Sequence, residues 1–129
     1  MTNSTKLNEF KNEYCHIKIE NNILYAKYLC SILDKQALIK AYELRLEASK
    51  DKSFPVIIDC SLVKQFTKEA RDFSGTSEAV DLISICAMVI NSPLGEMLGN
   101  FYLKLKRPPV KTKMFNSLKD AEKWVLSNL

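Results

Sequence analysis

Glycine and proline are scarce in this sequence, with 3 Gly and 4 Pro among 129 residues. Their scarcity argues against a low-complexity tract or a long linker. No apolar run reaches the roughly 18 residues that a transmembrane helix needs, and the polar start MTNSTKLNEFKNE does not resemble a secretory signal. We therefore expect a cytoplasmic protein with a disordered or frayed start at residues 1–13 and a single domain at residues 14–129.

The residues that usually carry catalysis or bind metals are also few. His16 is the only histidine, and no two of the four cysteines have the Cys-x-x-Cys spacing of a zinc or redox site. The sequence contains no glycine-rich phosphate loop and no nucleophile elbow. We therefore predict a protein that is not an enzyme, with no catalytic residues, no metal and no cofactor.

The net charge of +4 is small, and most basic residues are interspersed with acidic ones. A nucleic-acid-binding protein usually concentrates its basic residues on one face, so we predict no nucleic-acid partner. One local excess of positive charge has two readings, a solvated surface or a weak contact with an anionic membrane or lipid head group. It consists of Lys104, Lys106, Arg107, Lys111 and Lys113.

The order of apolar patterns predicts an α/β fold. Two alternating stretches around Asn21 and Asn22 indicate an opening β-hairpin. A helix follows, with Ser31 and Asp34 resembling a capping box. The apolar stretch 56–58, which ends at Asp59, and the stretch 82–90 are continuous rather than alternating, which is typical of parallel strands covered on both faces. The pattern predicts a mixed, mostly parallel sheet of about five strands with about four helices.

Three helix starts follow strands in this pattern. Thr67 and Ser117 are positioned as N-caps, and in Asn91-Ser92-Pro93 the serine is the predicted cap with Pro93 at the first helical position. Open α/β sheets bind ligands at the carboxyl ends of their strands, where exposed helix amides also attract anions. The predicted interaction or anion site at this edge consists of Asp59, Ser61, Thr67, Glu69, Asn91, Ser92 and Ser117.

The third helix carries a broad apolar face with two open interpretations. It is either the core face of an amphipathic helix or the lining of a site for an apolar ligand. Gly95 and Gly99 leave a smooth patch that suits close packing on the sheet or, alternatively, a homodimer contact. The apolar face consists of Leu94, Met97, Leu98, Phe101 and Tyr102.

Three stretches resemble the STAS-like (SpoIIAA-like) superfamily, in particular its uncharacterised bacterial members. They are FPVIIDCSLVKQFTKEAR, AMVINSPLGEMLGNFYLKLKRPPVKTKMF and SLKDAEKWVLSNL. The resemblance implies a non-catalytic regulatory or protein-interaction module with a protein partner. A related topology in CRAL-TRIO lipid-transfer domains implies the alternative, a binder or carrier of a small apolar or lipid ligand.

The segment ARDFSGTSEA resembles the Asp-Ser-Ser-Gly site at which STAS antagonists are phosphorylated. In those proteins the serine begins the helix after the buried strand. Here that strand ends at Asp59 and the helix is predicted to begin at Thr67, so Ser74 comes about two helical turns too late. A phosphate gains little from helix amides beyond the first turn. We therefore do not expect Ser74 to act as such a switch, and we interpret Thr67 as a cap.

Overall fold

The computed structural model describes residues 8–103 and 110–129, with the backbone alone at Ser92 and at residues 101–103. Six strands form one sheet in the order β1-β2-β3-β5-β7-β8, and a two-stranded sheet joins β4 to β6. The strands are β1 (Glu9–Lys11), β2 (Cys15–Glu20), β3 (Ile23–Tyr28), β4 (Ile32–Leu33), β5 (Phe54–Asp59), β6 (Gln65–Phe66), β7 (Ile83–Val89) and β8 (Thr112–Phe115). The helices are α1 (Lys35–Ser49), α2 (Lys68–Ser74), α3 (Ser92–Leu103) and α4 (Leu118–Ser127).

The opening hairpin is present as predicted. Strands β2 and β3 pair antiparallel from Glu20↔Ile23 to Cys15↔Tyr28. The two turn residues have positive φ angles, 53° at Asn21 and 63° at Asn22. Asparagine tolerates this left-handed backbone better than most residues, which is why the pair closes a two-residue turn.

The prediction of a frayed start is wrong for residues 9–11, which form the edge strand β1. Phe10 pairs with Ile17 of β2, and its partly buried ring packs on the core. The short sequence Glu9-Phe10-Lys11 has one apolar residue between two charges. Charged side chains of this kind are common on edge strands, where they discourage pairing with other chains.

The second half of the sheet is parallel and most deeply buried at its centre. Strand β5 pairs with β3 on one side and β7 on the other, and β8 completes the sheet beside β7. Val56 and Ile57 are almost completely buried although they point to opposite faces of the sheet. The prediction that the continuous apolar run forms a strand covered on both faces is therefore confirmed.

The helix caps partly revise the sequence prediction. Thr67 caps α2 and Ser117 caps α4, each accepting a hydrogen bond from a backbone N–H three residues on. Helix α1 begins at Lys35 and is capped by Asp34, not Ser31, because the intervening Ile32–Leu33 pairs with β6. In α3 the side chain of Asn91 accepts from the N–H of Leu94, so Asn91 fills the capping role predicted for Ser92.

The helices divide unequally between the two faces of the sheet. One face carries α1, α2 and α3 over the larger core cluster, which includes Leu24, Val56 and Leu98. The other carries α4, whose Ala121 and Val125 pack on a smaller cluster. The predicted α/β fold with four helices is confirmed, with six strands in the main sheet rather than five. Within the described ranges, no helix is long and apolar enough to cross a membrane.

Candidate functional site: a cavity between the sheet and three helices

A cavity of about 630 Å³ lies on the three-helix side of the sheet. Its floor is the sheet, and its walls come from α1, α2, α3, the segment after α2 and residues 110–114. Pockets that hold small organic ligands range from roughly 300 to 1,000 Å³ and are mostly apolar. Both the size and the largely apolar lining of this cavity fall within that description.

Small side chains explain why there is space at this place in the fold. Ala26 and Cys86 form part of the floor, Ala41 faces them from α1, and Gly95 and Gly99 face them from α3. A protein interior is normally packed as densely as an organic crystal. Small residues on facing elements leave part of the volume unfilled, so the cavity follows from the sequence of these elements.

Arg45 of α1 lines this apolar cavity and is 6% exposed. Its Nη1 donates to the carbonyl of Asp81 at 2.5 Å and its Nη2 to the carbonyl of Ala79 at 2.9 Å. The guanidinium carbon lies 5.6 Å from the ring centroid of Tyr42. Burial lowers the pKa of Arg45 from its ordinary value, but arginine remains a cation in proteins. The cavity therefore has a buried positive charge in its wall.

The other titratable groups in the interior part of the wall are neutral. Burial raises the pKa of the Cys15 and Cys86 thiols to about 12. The Tyr28 phenol is fully enclosed, and burial raises its pKa well above the ordinary range. None of these groups carries negative charge near pH 7, so none balances the charge of Arg45.

The polar residues predicted at the carboxyl edge are distributed along that edge. Backbone hydrogen bonds from Cys60 to Val89 (2.7 Å) and from Ile90 to Phe115 (3.0 Å) align the ends of β5, β7 and β8. Ser61, Asn91 and Ser117 follow these aligned ends in the chain.

Four of the described edge side chains, those of Asp59, Thr67, Asn91 and Ser117, already make local hydrogen bonds. The Asp59 carboxylate accepts from the N–H of Ser61 at 2.9 Å, and Asn91 and Ser117 cap their own helices. Thr67 caps α2, which follows the small sheet, and the Thr67 N–H donates to Leu33 of β4. Glu69 is exposed in the first turn of α2. The side chain of Ser92 lies outside the described residues, and the anion site at this edge stays a prediction.

Leu94, Met97 and Leu98, the described members of the apolar face predicted on α3, lie beside the cavity rather than in its wall. Leu94 and Leu98 are buried in the core, and Met97 packs against it with its Sδ 3.7 Å from Nη1 of Arg71. The side chains of Phe101 and Tyr102 lie outside the described residues. Among the described residues of α3, Gly95 and Gly99 line the cavity.

Two further sequence predictions concern Ser74 and the basic cluster. Ser74 is the last residue of α2 and donates its hydroxyl to the carbonyl of Arg71 at 2.7 Å, so it lacks the helix-start setting of a phosphoserine switch. Lys104, Lys106 and Arg107 lie outside the described residues. Lys111 donates to Asn128 at 2.9 Å, and both Lys111 and Lys113 line the cavity. Within residues 8–103 and 110–129, no group of three or more metal-ligating side chains occurs.

The sequence prediction missed Arg45, although the sequence contains a signal for it. Ala37, Ala41 and Ala48 recur at helical spacing on the buried face of α1, and Arg45 occupies the position between the last two. A charged residue inside an apolar stripe is unusual because burying a charge is costly. That interruption of the stripe is the signal.

The fold and the cavity can now be compared with known proteins. The fold is that of the SpoIIAA-like proteins: a crystal structure of an uncharacterised DUF3478-family protein from Shewanella loihica PV-4 superposes with a TM-score of 0.60. That protein shares 17% sequence identity, and the match covers 89% of this chain and 97% of the other. No curated protein is significantly similar in sequence. The family model "Domain of unknown function (DUF7793)" matches residues 17–128, so the chain belongs to that family. The predicted resemblance to uncharacterised STAS-like proteins is confirmed.

Proposed function

We propose that the chain is a non-catalytic binding domain that holds a small apolar ligand in the cavity between the sheet and the three helices. The observation that carries this proposal is a cavity of about 630 Å³ whose lining is mostly apolar. The side chains that line a cavity of this size have fewer packing contacts than side chains in a filled core. Occupation by an apolar molecule would restore those contacts.

The floor and walls of the cavity agree with an apolar occupant. Met88 and Ile83 contribute aliphatic surface from β7, Phe73 contributes a ring from α2, and Leu38 contributes aliphatic surface from α1. These side chains belong to, or pack on, the larger core cluster. A ligand here would therefore extend the hydrophobic core, and each methylene it buries would contribute about 0.8 kcal/mol.

Isothermal titration calorimetry with straight-chain primary alcohols tests this proposal. The affinity is expected to rise about fourfold for each added methylene, the equivalent of about 0.8 kcal/mol, until the cavity is full. Heats of binding that are absent for every alcohol, or an affinity that does not change with chain length, would contradict the proposal. Native mass spectrometry of the purified protein gives an independent reading, because a ligand retained during purification adds its mass.

A second candidate function, docking of a protein partner, is favoured by exposed apolar side chains near the carboxyl edge. Ile32 is 53% exposed in β4 and Leu62 is 47% exposed after β5. The backbone bond from Lys64 to Ser31, at 2.7 Å, holds their two segments together. Exposed apolar surface is a common feature of binding sites for other proteins.

Affinity capture with the tagged chain tests protein docking. Leu62→Asp is expected to abolish retention of a specific partner. Leu126→Asp is a matched control, because Leu126 is also exposed, at 58%, near the end of α4. Equal retention by both variants would contradict docking at this edge. A homodimer is included in the same proposal and is measured by light scattering of the purified chain.

A further inference from the structure

Arg45 carries a charge that the surrounding protein only partly satisfies. Its two hydrogen bonds go to neutral backbone carbonyls, at Ala79 and Asp81. Within residues 8–103 and 110–129, no ion-pair contact joins Arg45 to a carboxylate, although the Asp81 carboxylate is near enough to raise the pKa of Arg45 and so offset part of the effect of burial. A guanidinium has more N–H groups than these two bonds use, so donors remain for another acceptor.

The location of this charge is costly without a counter-ion. A buried charged side chain is normally paired, because neutral dipoles replace only part of the hydration that it loses. Arg45 lies at the cavity wall with 6% of its surface exposed, beside the ring of Tyr42. If the residue at position 45 served only to hold the segment after α2 by hydrogen bonds, it would need donors but no permanent charge.

We propose that Arg45 binds the anionic head group of the ligand, so that the cavity takes an amphiphile with an apolar chain and a carboxylate or phosphate monoester at its end. This inference rests on the proposed function and adds to it the chemical class of the ligand. The planar fork of arginine matches the paired oxygens of both head groups. The apolar chain would extend from Arg45 over the small residues of the floor, Ala26 and Cys86.

The charge of the interior wall agrees with an anionic ligand. The thiols of Cys15 and Cys86 and the phenol of Tyr28 remain uncharged, so Arg45 gives this part of the wall its positive charge near pH 7. Lys111 and Lys113 do not add to it, because their ammonium groups lie over the rings of Trp124 and Phe115 on the α4 face of the sheet. An amine head group placed in the same cavity would meet repulsion rather than pairing.

Four probes with the same ten-carbon chain test the inference on the unaltered protein: decanoate, decyl phosphate, 1-decanol and decylamine. We call whichever of decanoate and decyl phosphate binds more tightly the better anion. Calorimetry at one pH and ionic strength is expected to show that it binds at least tenfold more tightly than 1-decanol, and that decylamine binds most weakly. The order of decanoate and decyl phosphate distinguishes a carboxylate from a phosphate ligand.

Two variants test whether Arg45 causes the preference for an anionic probe over 1-decanol. Arg45→Gln keeps hydrogen-bond donors for the carbonyls of Ala79 and Asp81 but removes the charge. It is expected to lower the affinity for the better anion at least tenfold more than the affinity for 1-decanol. A purely structural role would lower both affinities alike. Arg45→Lys keeps the charge and is expected to retain part of the preference for the anion. Circular dichroism checks that both variants fold.

The outcomes separate this inference from the proposed function. Equal binding of decanoate, decyl phosphate and 1-decanol would overturn the role of Arg45 and leave the apolar site standing. Binding of none of the four probes would overturn both. Because the probe series uses the unaltered chain, it decides the question even if Arg45→Gln does not fold.

Discussion

Gly99 provides the sharpest test of the cavity, because a side chain added there should enter empty space. A Cβ atom built at Gly99 has no described neighbour within 4 Å, whereas one built at Gly95 lies 3.2 Å from Cγ2 of Ile90. Both glycines belong to α3 and line the cavity. Gly99→Leu should therefore fill part of the cavity and stabilise the empty protein.

The expected gain has two parts. Replacing glycine by leucine in a helix contributes about 0.8 kcal/mol, because glycine loses more backbone entropy on folding. Burying the leucine side chain against the apolar lining contributes about 1–2 kcal/mol after the loss of its rotamer freedom. The free energy of unfolding should rise by about 2–3 kcal/mol, and Tm by roughly 3–5 °C for each kcal/mol in a domain of this size.

Urea unfolding and calorimetry with 1-decanol measure the two consequences on the same preparations. Gly99→Ala is the matched control: it should gain about 1 kcal/mol from the helix and bind 1-decanol as the original chain does. Gly99→Leu should weaken that binding more than tenfold, because its side chain occupies the volume of about three to four methylenes. Gly95→Ala should gain less than Gly99→Ala, because its Cβ crowds Ile90.

The reasoning is refuted if Gly99→Leu destabilises the protein while Gly99→Ala stabilises it. That result would mean that the space beside Gly99 is already filled. Unchanged binding of 1-decanol by Gly99→Leu would also refute it, since the ligand would then lie elsewhere.

Three further predictions concern caps and cysteines. Thr67→Ala should lower the free energy of unfolding by about 1 kcal/mol in urea, because the N–H of Ala70 loses its acceptor; no change would contradict the capping role. The pKa of Cys15 is about 12 in the folded chain against an ordinary 9.0, so its stabilising contribution is complete below pH 9 and is lost as pH rises from about 9 to 12. The loss should be about 1 kcal/mol per pH unit, and Cys15→Ala should show a correspondingly smaller decline than the unaltered chain. A thiol reagent at pH 8 should label the half-buried Cys30 before the buried Cys86, and the reverse order would contradict the burial.

The parts of the fold that the sequence predicts are those with strong local signals. The run 56–58 is continuously apolar, and its burial on both faces makes it part of a central parallel strand. Asn21 and Asn22 adopt the positive φ angles that a two-residue hairpin turn requires. In both cases the local preference and the tertiary environment favour the same structure.

The parts that were missed depend on partners distant in sequence. Glu9–Lys11 has too short a pattern to predict a strand, and its conformation depends on pairing with β2. The capping pattern of Ser31 and Asp34 predicts a helix that includes Ile32–Leu33, but pairing with Gln65–Phe66 makes these residues a strand, and the helix begins at Lys35. Tertiary pairing overrides a weak local preference at both places.

The candidate site was predictable only in part. Glycine spacing on α3 indicated a smooth surface, but not that the surface faces a cavity, because the depth of that space depends on Ala26 and Ala41 from other elements. Helical periodicity alone favours an apolar residue such as Leu44 on the buried face of α1, whereas Arg45 is the more deeply buried of the two. The cap Ser117 could be placed from local sequence, since capping is a local interaction, whereas the cap of α3 is Asn91, one residue before the predicted Ser92.

The most direct test of the central claim, that an apolar ligand occupies the cavity on the three-helix side, is a methyl NMR titration of the unaltered chain with decanoate. Met88 and Met114 line the cavity, whereas Trp124 packs against Phe115 on the opposite face of the sheet. We expect the methyl resonances of both methionines to shift and saturate together while the indole N–H of Trp124 stays in place. Unchanged methionine resonances at saturating decanoate, or a shift confined to Trp124, would contradict the account.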